Sequence, residues 1–125
     1  MKYVQSDKAP AAIGPYSQAI QAGGLLFASG QIPLDPATGN LVGDTIEAQT
    51  EQVIANIREV LAAADLTFED VVKTTCYLAD IADFTAFNGV YARYFTGKPA
   101  RSCVAVKALP KGALVEIEVT AEAKA

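Results

Sequence analysis

Arg101 and Glu116 are the two residues whose types and positions best suit chemistry on a small anionic molecule. Arg101 opens RSCVAVK (101–107), and Glu116 lies in ALVEIEVTA (113–121); both segments alternate as strands do. A guanidinium presents a planar fork of N–H donors that matches a carboxylate, and a glutamate can orient or deprotonate a water molecule. An ordinary ion pair of Arg101 with Glu116 or Glu118 would give the same pattern, so that structural interpretation stays open.

Tyr16 and Gly30 are candidates at the start of the chain. Tyr16 follows a Gly-Pro bend in GPYSQ (14–18), where its hydroxyl could donate to a ligand oxygen or its ring could simply cover a sheet edge. The segment SGQ (29–31) ends a predicted strand with Ser29 and Gly30. A glycine at that place allows either close approach of a ligand to the backbone or a β-bulge.

Cys103 and Asn88 are weaker candidates. Cys103 lies two residues from Arg101, and a nearby cation favours a nucleophilic thiolate, although a small core residue is the simpler interpretation. Asn88 lies in a predicted helix, where an asparagine commonly faces solvent or caps a local backbone group.

The composition excludes several classes of enzyme. The 125 residues contain no His, which removes Ser-His-Asp and Cys-His mechanisms and imidazole metal sites. The sequence has neither a GxGxxG nor a GxxxxGK[ST] motif and no acidic cluster with metal spacing, so we expect no cofactor and no metal. Ten Lys and Arg residues are scattered against fourteen Asp and Glu residues, for a net charge of −4, which argues against a nucleic-acid partner.

Hydropathy and cysteine usage indicate the compartment. The chain has no apolar run of membrane-spanning length and no signal-peptide core at its N-terminus, so we expect a cytoplasmic protein with no membrane partner. Its two cysteines, Cys76 and Cys103, are too few for a disulfide framework and are expected to be reduced.

The elements that must position these residues follow from local patterns. Segments 17–22 and 25–30 are predicted strands of a hairpin that turns at Gly23-Gly24. Residues 31–43 are rich in Pro, Gly, Asp and Asn and are predicted to be a loop. From Asp44 an apolar stripe predicts a helix of about 20 residues that begins with a capping-box-like sequence.

The second half of the chain predicts a strand-helix-strand crossover. Residues 71–78 are predicted to be a strand, followed by a helix capped by Asp80 or Asp83 and ending before Pro99. Strands 101–107 and 113–121 complete the order β-β-α-β-α-β-β. We expect residues 1–125 to form one α+β domain with a mixed sheet and two helices packed on one face, the 71–107 crossover being parallel and right-handed.

Strand alternation then predicts which side chains share a face. Val104 and Val106 are expected to face the helices together with the set Val115, Ile117 and Val119. Arg101 and Glu116 would then lie together on the opposite face, away from the helices. Two helices leave that face open, and its mixture of apolar and charged residues suggests association with other copies of the chain.

Six segments taken together resemble one protein family, the RidA (YjgF) family. The resemblance covers nearly the whole chain, in order. The segments are GPYSQAI (14–20), SGQIPLDPATG (29–39), DVVKTTCYLAD (70–80), FNGVYARYF (87–95), PARSCVAV (99–106) and LPKGALVEIE (109–118).

This resemblance implies a homotrimer of chorismate-mutase-like architecture, with the sheets around a central barrel, the helices outside and the ligand sites between subunits. It also implies hydrolytic deamination, without a cofactor, of enamine and imine intermediates such as 2-iminobutanoate and 2-iminopropanoate, giving 2-oxo acids and ammonia. A non-catalytic trimeric module that binds small carboxylates or proteins is the alternative. Endoribonuclease or translation-inhibitor activity is a further one that the acidic composition disfavours.

The resemblance also implies roles for single residues. Arg101 matches the arginine that clamps the substrate carboxylate, and Glu116 matches the carboxylate associated with the attacking water. The other matching pocket positions are Tyr16, Ser29, Gly30, Asn88 and Cys103. The segment between Phe95 and Arg101 is shorter than in many members, and this loop is expected to shape the rim of the pocket.

Overall fold

The computed structural model describes residues 1–123. Within them the chain forms six strands and two α-helices. The strands are β1 (Lys2–Val4), β2 (Ala19–Ala22), β3 (Leu25–Ala28), β4 (Val71–Leu78), β5 (Ala100–Ala105) and β6 (Val115–Glu122), and the helices are α1 (Ile46–Ala62) and α2 (Phe84–Tyr94). Strand β1 was missed, because its three residues are too few to display a pattern.

The strands form one mixed sheet in the order β1-β2-β3-β6-β4-β5. Strands β4 and β5 are parallel, as expected for a crossover through α2, and the other neighbours are antiparallel. The predicted hairpin is confirmed: β2 and β3 pair, and Gly23 and Gly24 both have positive φ angles, of 58° and 78°. Those angles strain residues that carry a Cβ. The predicted α+β class is therefore confirmed.

Helix α1 covers the middle of the sheet. The Thr45 side chain caps its first turn by accepting a hydrogen bond from the Ala48 N–H, which satisfies a backbone donor that the helix leaves unpaired. The predicted capping box is not formed, because the helix begins one residue later than a box starting at Asp44 requires. The apolar stripe of α1 is buried against the sheet, with Val53, Ile54 and Ile57 at most 1% exposed.

Helix α2 covers the β4–β5 side of the sheet. Asp80 caps a short 3-10 turn by accepting from the Ala82 N–H, whereas Asp83 occupies the N-cap position of α2 without a side-chain cap bond. Phe87 and Phe95 are buried, at 0% and 2% exposure. The helix ends at Tyr94, before Pro99 as predicted.

The predicted faces hold for β6 but are wrong for β5. Val115, Ile117 and Val119 lie buried toward the helices. Arg101, however, pairs with Thr74, which pairs with Val119, and residues directly opposite in a sheet project to the same face. Arg101 therefore faces the helices.

Val104 does not face the helices as predicted. Val104 pairs with Tyr77, which pairs with Glu116, so it lies on the open face and is 46% exposed. Val106 lies beyond the end of β5. Strand β5 is an edge strand within the described residues, and its exposed valine misled an assignment based on hydrophobicity alone.

No helix within residues 1–123 is long and apolar enough to span a membrane.

Asn56 fastens the loop after β3 to helix α1. Its side chain is 1% exposed and donates to the carbonyl oxygens of Ile32 and Leu34, at 3.3 and 3.0 Å. Its Oδ1 accepts from Gln52 at 3.0 Å. This helix side chain thus ties the loop to α1.

We predict that Asn56→Ala lowers the free energy of unfolding by about 1–3 kcal/mol, because it removes the hydrogen bonds that this buried side chain makes with Ile32, Leu34 and Gln52. Urea denaturation followed by circular dichroism measures the loss. Glu59→Ala on the same helix is the control, with an expected change within about 0.5 kcal/mol. Equal effects of the two substitutions would contradict the role of Asn56.

Candidate functional site

The Arg101 guanidinium is held by one face of helix α2. Its Nη1 donates to Asn88 Oδ1 at 2.7 Å. The guanidinium carbon lies 4.8 Å from the centre of the Tyr91 ring and 5.6 Å from that of Phe84, distances at which a cation is attracted to an aromatic ring. Asn88 thus contacts Arg101 rather than simply facing solvent.

A cavity of about 480 Å³ opens beside this guanidinium. It lies between the second half of α2, the short loop 96–99 and the start of β5. Its lining residues are Asn88, Tyr91, Ala92, Phe95, Thr96, Lys98, Pro99 and Arg101. Among residues 1–123 the hydrogen-bond partner of the guanidinium is Asn88, so Nε and Nη2 remain available as donors to an anion in the cavity.

Glu116 lies on the other face of the sheet, against Gly30. A backbone bridge between Gln31 and Ile117 extends the sheet past the end of β3 and brings the two residues together. A Cβ atom at position 30 would lie 2.8 Å from Glu116 Cδ, closer than the two atoms can approach. Gly30 is therefore needed so that the Glu116 side chain can lie across the backbone. The bulge interpretation also holds, because three residues between Phe27 and Gln31 lie opposite the two residues between Ile117 and Thr120.

Burial and the negative charge of Glu118 both raise the pKa of Glu116. The charge of Glu118 is itself held in place, because Tyr77 donates a hydrogen bond to its Oε1 at 3.2 Å. A carboxylate beside Arg101 would instead have a lowered pKa. In the single chain Glu116 is thus a stronger base than proximity to Arg101 would allow.

Tyr16 and Ser29 line a second cavity, on the same open face. It measures about 570 Å³ and also borders Phe27 and Glu118. Tyr16 is 54% exposed, and its hydroxyl has no hydrogen-bond partner within the described part of the chain. The Ser29 hydroxyl donates to the Ser17 carbonyl at 2.6 Å and can still accept a bond.

The candidate residues therefore form two groups on opposite faces of the sheet. Arg101, Asn88 and Cys103 lie toward the helices, whereas Glu116 and the residues around Tyr16 lie on the open face. Strands β5 and β6 are separated by β4, which places their backbones about 10 Å apart. The prediction that Arg101 and Glu116 share a face is wrong within one chain, because the register of β5 turns Arg101 toward α2.

Neither cysteine is activated. Burial raises the pKa of the Cys103 thiol despite the neighbouring Arg101, and burial raises that of Cys76 to about 12. Both groups are therefore thiols near neutral pH, which disfavours Cys103 as a nucleophile. Within residues 1–123, no three Cys, Asp or Glu side chains come together in a group that could hold a metal ion.

Sequence reasoning found Asn88 but missed Phe84, Tyr91 and Tyr77, the other residues that position the charged groups. Phe84, Asn88 and Tyr91 are spaced by four and three residues, so one face of a helix presents all three to the arginine. That spacing is visible in the sequence, but nothing in the sequence shows that the two aromatic rings lie against a guanidinium. Tyr77 had no such signal, because its contact with Glu118 spans 41 residues.

Comparisons with known proteins identify relatives over the whole described chain. The family model Endoribonuclease L-PSP matches residues 6–123. A Lactococcus lactis protein that bears the name of a regulator, AldR, is 54% identical over 125 residues, with 99% of each chain covered. Reactive Intermediate Deaminase A of Arabidopsis thaliana chloroplasts is 52% identical over 119 residues, covering 94% of this chain and 64% of that protein.

A solved structure agrees with the fold. Escherichia coli TdcF with bound serine superposes with a TM-score of 0.93 at 38% identity, covering 99% of this chain and all of that one. Because the family model spans residues 6–123 and relatives share half of their residues with this chain, the protein belongs to the endoribonuclease L-PSP family, the family of the YjgF, RutC and Rid proteins.

Proposed function

We propose that this protein is a hydrolytic deaminase of 2-imino acids, including 2-iminobutanoate and 2-iminopropanoate, and that it works as a homotrimer with its sites between subunits. The observation that carries the proposal is the Arg101 guanidinium. This guanidinium contacts Asn88 and Tyr91 and lines a cavity. Its Nε and Nη2 groups donate no hydrogen bond within residues 1–123. Membership in a family that includes Reactive Intermediate Deaminase A supports the same reaction.

Arg101 supplies binding and orientation. Its remaining N–H donors match the two oxygens of a 2-imino acid carboxylate. Asn88 and the Tyr91 ring fix the plane of the guanidinium. The imine carbon of the bound substrate is therefore held in one orientation. Such orientation accounts for a large part of the rate enhancement that an enzyme achieves by binding its reactant. The serine bound to the relative TdcF is a small amino acid of the same size class.

Glu116 supplies the base. Water attacks the carbon of the protonated imine, its oxygen forms the new C–O bond, and the electron pair of the C=N double bond moves to nitrogen. Glu116 accepts the proton released by the water and then returns it to the nitrogen. The C–N bond then breaks with its electron pair leaving on nitrogen, and the hydroxyl oxygen forms the C=O bond. Its proton passes through Glu116 to the departing ammonia, so the products are a 2-oxo acid and ammonium. A raised pKa suits this exchange, because the proton must be both taken and returned.

The two groups can act on one substrate only if two copies of the chain contribute. Within one chain Arg101 and Glu116 point to opposite faces of the sheet. The open face that carries Glu116 also exposes apolar side chains, with Tyr3 66%, Phe27 49% and Val104 46% exposed. Covering such a patch stabilises an assembly. A neighbouring copy that covers it would supply the missing group.

A carboxylate-binding module without catalysis is the rival function. The regulator name of the Lactococcus lactis relative favours it, and such a module would use the same arginine. It would bind 2-oxo acids without accelerating the hydrolysis of imines. An assay in which an amino-acid oxidase generates the imine and semicarbazide traps what remains separates the two functions.

Arg101→Lys is predicted to lower kcat/KM for 2-iminopropanoate by about 10- to 100-fold, because it keeps the charge but loses the fork of donors. The coupled imine assay measures the loss. Arg93→Lys is the matched control, since Arg93 pairs with Glu51 on the surface, at 2.8 Å, and its change should leave kcat/KM unaltered. Full activity of the Arg101 variant would contradict the clamp.

The acidic limb of the pH profile should follow the pKa of Glu116, which burial and the charge of Glu118 raise and which the Arg101 of a neighbouring copy would lower. Activity needs the ionised carboxylate and is therefore lost as the pH falls through this pKa. Glu118→Gln removes the repelling charge and should move the limb to lower pH. Glu122→Gln, at the end of the same strand, should leave it in place. Equal profiles for the two variants would contradict the coupling.

Coexpression of Arg101→Ala with Glu116→Gln should restore activity that neither variant has alone. If one copy supplies Arg101 to a site and its neighbour supplies Glu116, each of the two residues is intact at about half of the sites in a random mixture. Both residues are therefore intact at about a quarter of the sites. Activity of the purified mixed oligomer measures this fraction. Arg101→Ala coexpressed with its own tagged form is the control. No recovery in the mixture would show that the site is not shared.

A further inference from the structure

We infer that Lys98 makes the Arg101 cavity a site for 2-imino acids and 2-oxo acids that carry a second carboxylate on the side chain. This inference deepens the proposed function and rests on it for the imine substrates. The substrate class is that of 2-iminosuccinate and 2-iminoglutarate and of the 2-oxo acids formed from them.

Lys98 lies at the rim of the cavity in the short loop between α2 and β5. Its backbone is fixed there, because the Lys98 N–H donates to the Phe95 carbonyl at 3.2 Å and its φ angle is 52°. A lysine seldom adopts this left-handed conformation. The turn therefore holds the start of the lysine side chain at one place on the rim.

The cavity is a local positive site in an acidic chain. Two of its lining residues are cations, Lys98 and Arg101, and the others are neutral. The chain as a whole has a net charge of −4. Within residues 1–123, neither cation forms an ion pair with a carboxylate of the chain. Even beside the Glu116 carboxylate that the proposed neighbouring copy brings, two cations leave the site with a net positive charge, which favours a ligand with a second negative group.

The two cations have different geometries and suit different ends of such a ligand. Arg101 lies deeper and is fixed by Asn88 and the Tyr91 ring, so it suits the carboxylate next to the reacting carbon. Lys98 is exposed, and a flexible ammonium adapts to a side-chain carboxylate at variable distance. A cavity of about 480 Å³ is also larger than 2-iminopropanoate requires.

Binding of product analogues tests this assignment apart from catalysis. The full-length protein, its Lys98→Gln variant and a Lys107→Gln control would be titrated by calorimetry. The ligands are 2-oxoglutarate and the N,N-dimethyl amide of its side chain, which cannot cyclise and keeps a similar shape without the second charge. Lys107 is exposed and is not among the cavity-lining residues.

We expect the wild type to bind 2-oxoglutarate about fivefold more tightly than the amide, the preference expected of one solvent-exposed ion pair. Lys98→Gln should abolish this preference, Lys107→Gln should retain it, and added salt should weaken it. Equal affinity of the wild type for the two ligands, or a preference that survives in Lys98→Gln, would overturn the assignment.

The imine assay then separates this inference from the proposed function. Hydrolysis of 2-iminosuccinate should fall about fivefold relative to its side-chain amide in Lys98→Gln. If the wild type hydrolyses no imine, the proposed deaminase activity fails, and the affinity ratio of the two oxo acids still decides the role of Lys98. If the wild type hydrolyses imines equally well with and without a second carboxylate, the proposed deaminase activity is supported and the role of Lys98 is overturned.

Discussion

The guanidinium of Arg101 is a partly buried cation that the described residues do not neutralise. An amide oxygen of Asn88 and the faces of Tyr91 and Phe84 hold it, and these groups orient a cation without cancelling its charge. A charge kept out of water in this way is stabilised when a ligand brings a carboxylate. The side chains of α2 are spaced so that they hold this guanidinium in place. The cavity beside β5 leaves room for the carboxylate of a ligand.

The division of the sheet into a covered and an open face separates the two charges. The helices bury the side of β6 that carries Ile117, and Glu116 is turned to the open side, across the backbone of Gly30. The separation also sets the chemistry of Glu116. Away from Arg101, the pKa of its carboxyl responds to burial and to Glu118, and both raise it. A sheet with one bare, partly apolar face thus supplies a base and a surface for a second copy of the chain.

Local patterns were sufficient for most elements. The turn at Gly23-Gly24 was predictable because positive φ angles restrict the choice of residue. Strand β4 was predicted with the bounds that the structure has, since a β-branched run between turn residues favours one conformation. Helix α1 followed from its apolar stripe, which packs against the sheet as the period required. The types of the charged candidates were equally visible in the sequence.

By itself, the sequence determined the elements, their class and the residues with suitable chemistry, because those depend on neighbours along the chain. Only the tertiary structure decided which way Arg101 points. The direction of a side chain in an edge strand is set by its register with the next strand, and Arg101 lies opposite the buried Thr74. The contacts of Glu116 with Gly30 and of Glu118 with Tyr77 likewise join distant segments. No local pattern encodes such contacts, since they arise when the strands pair.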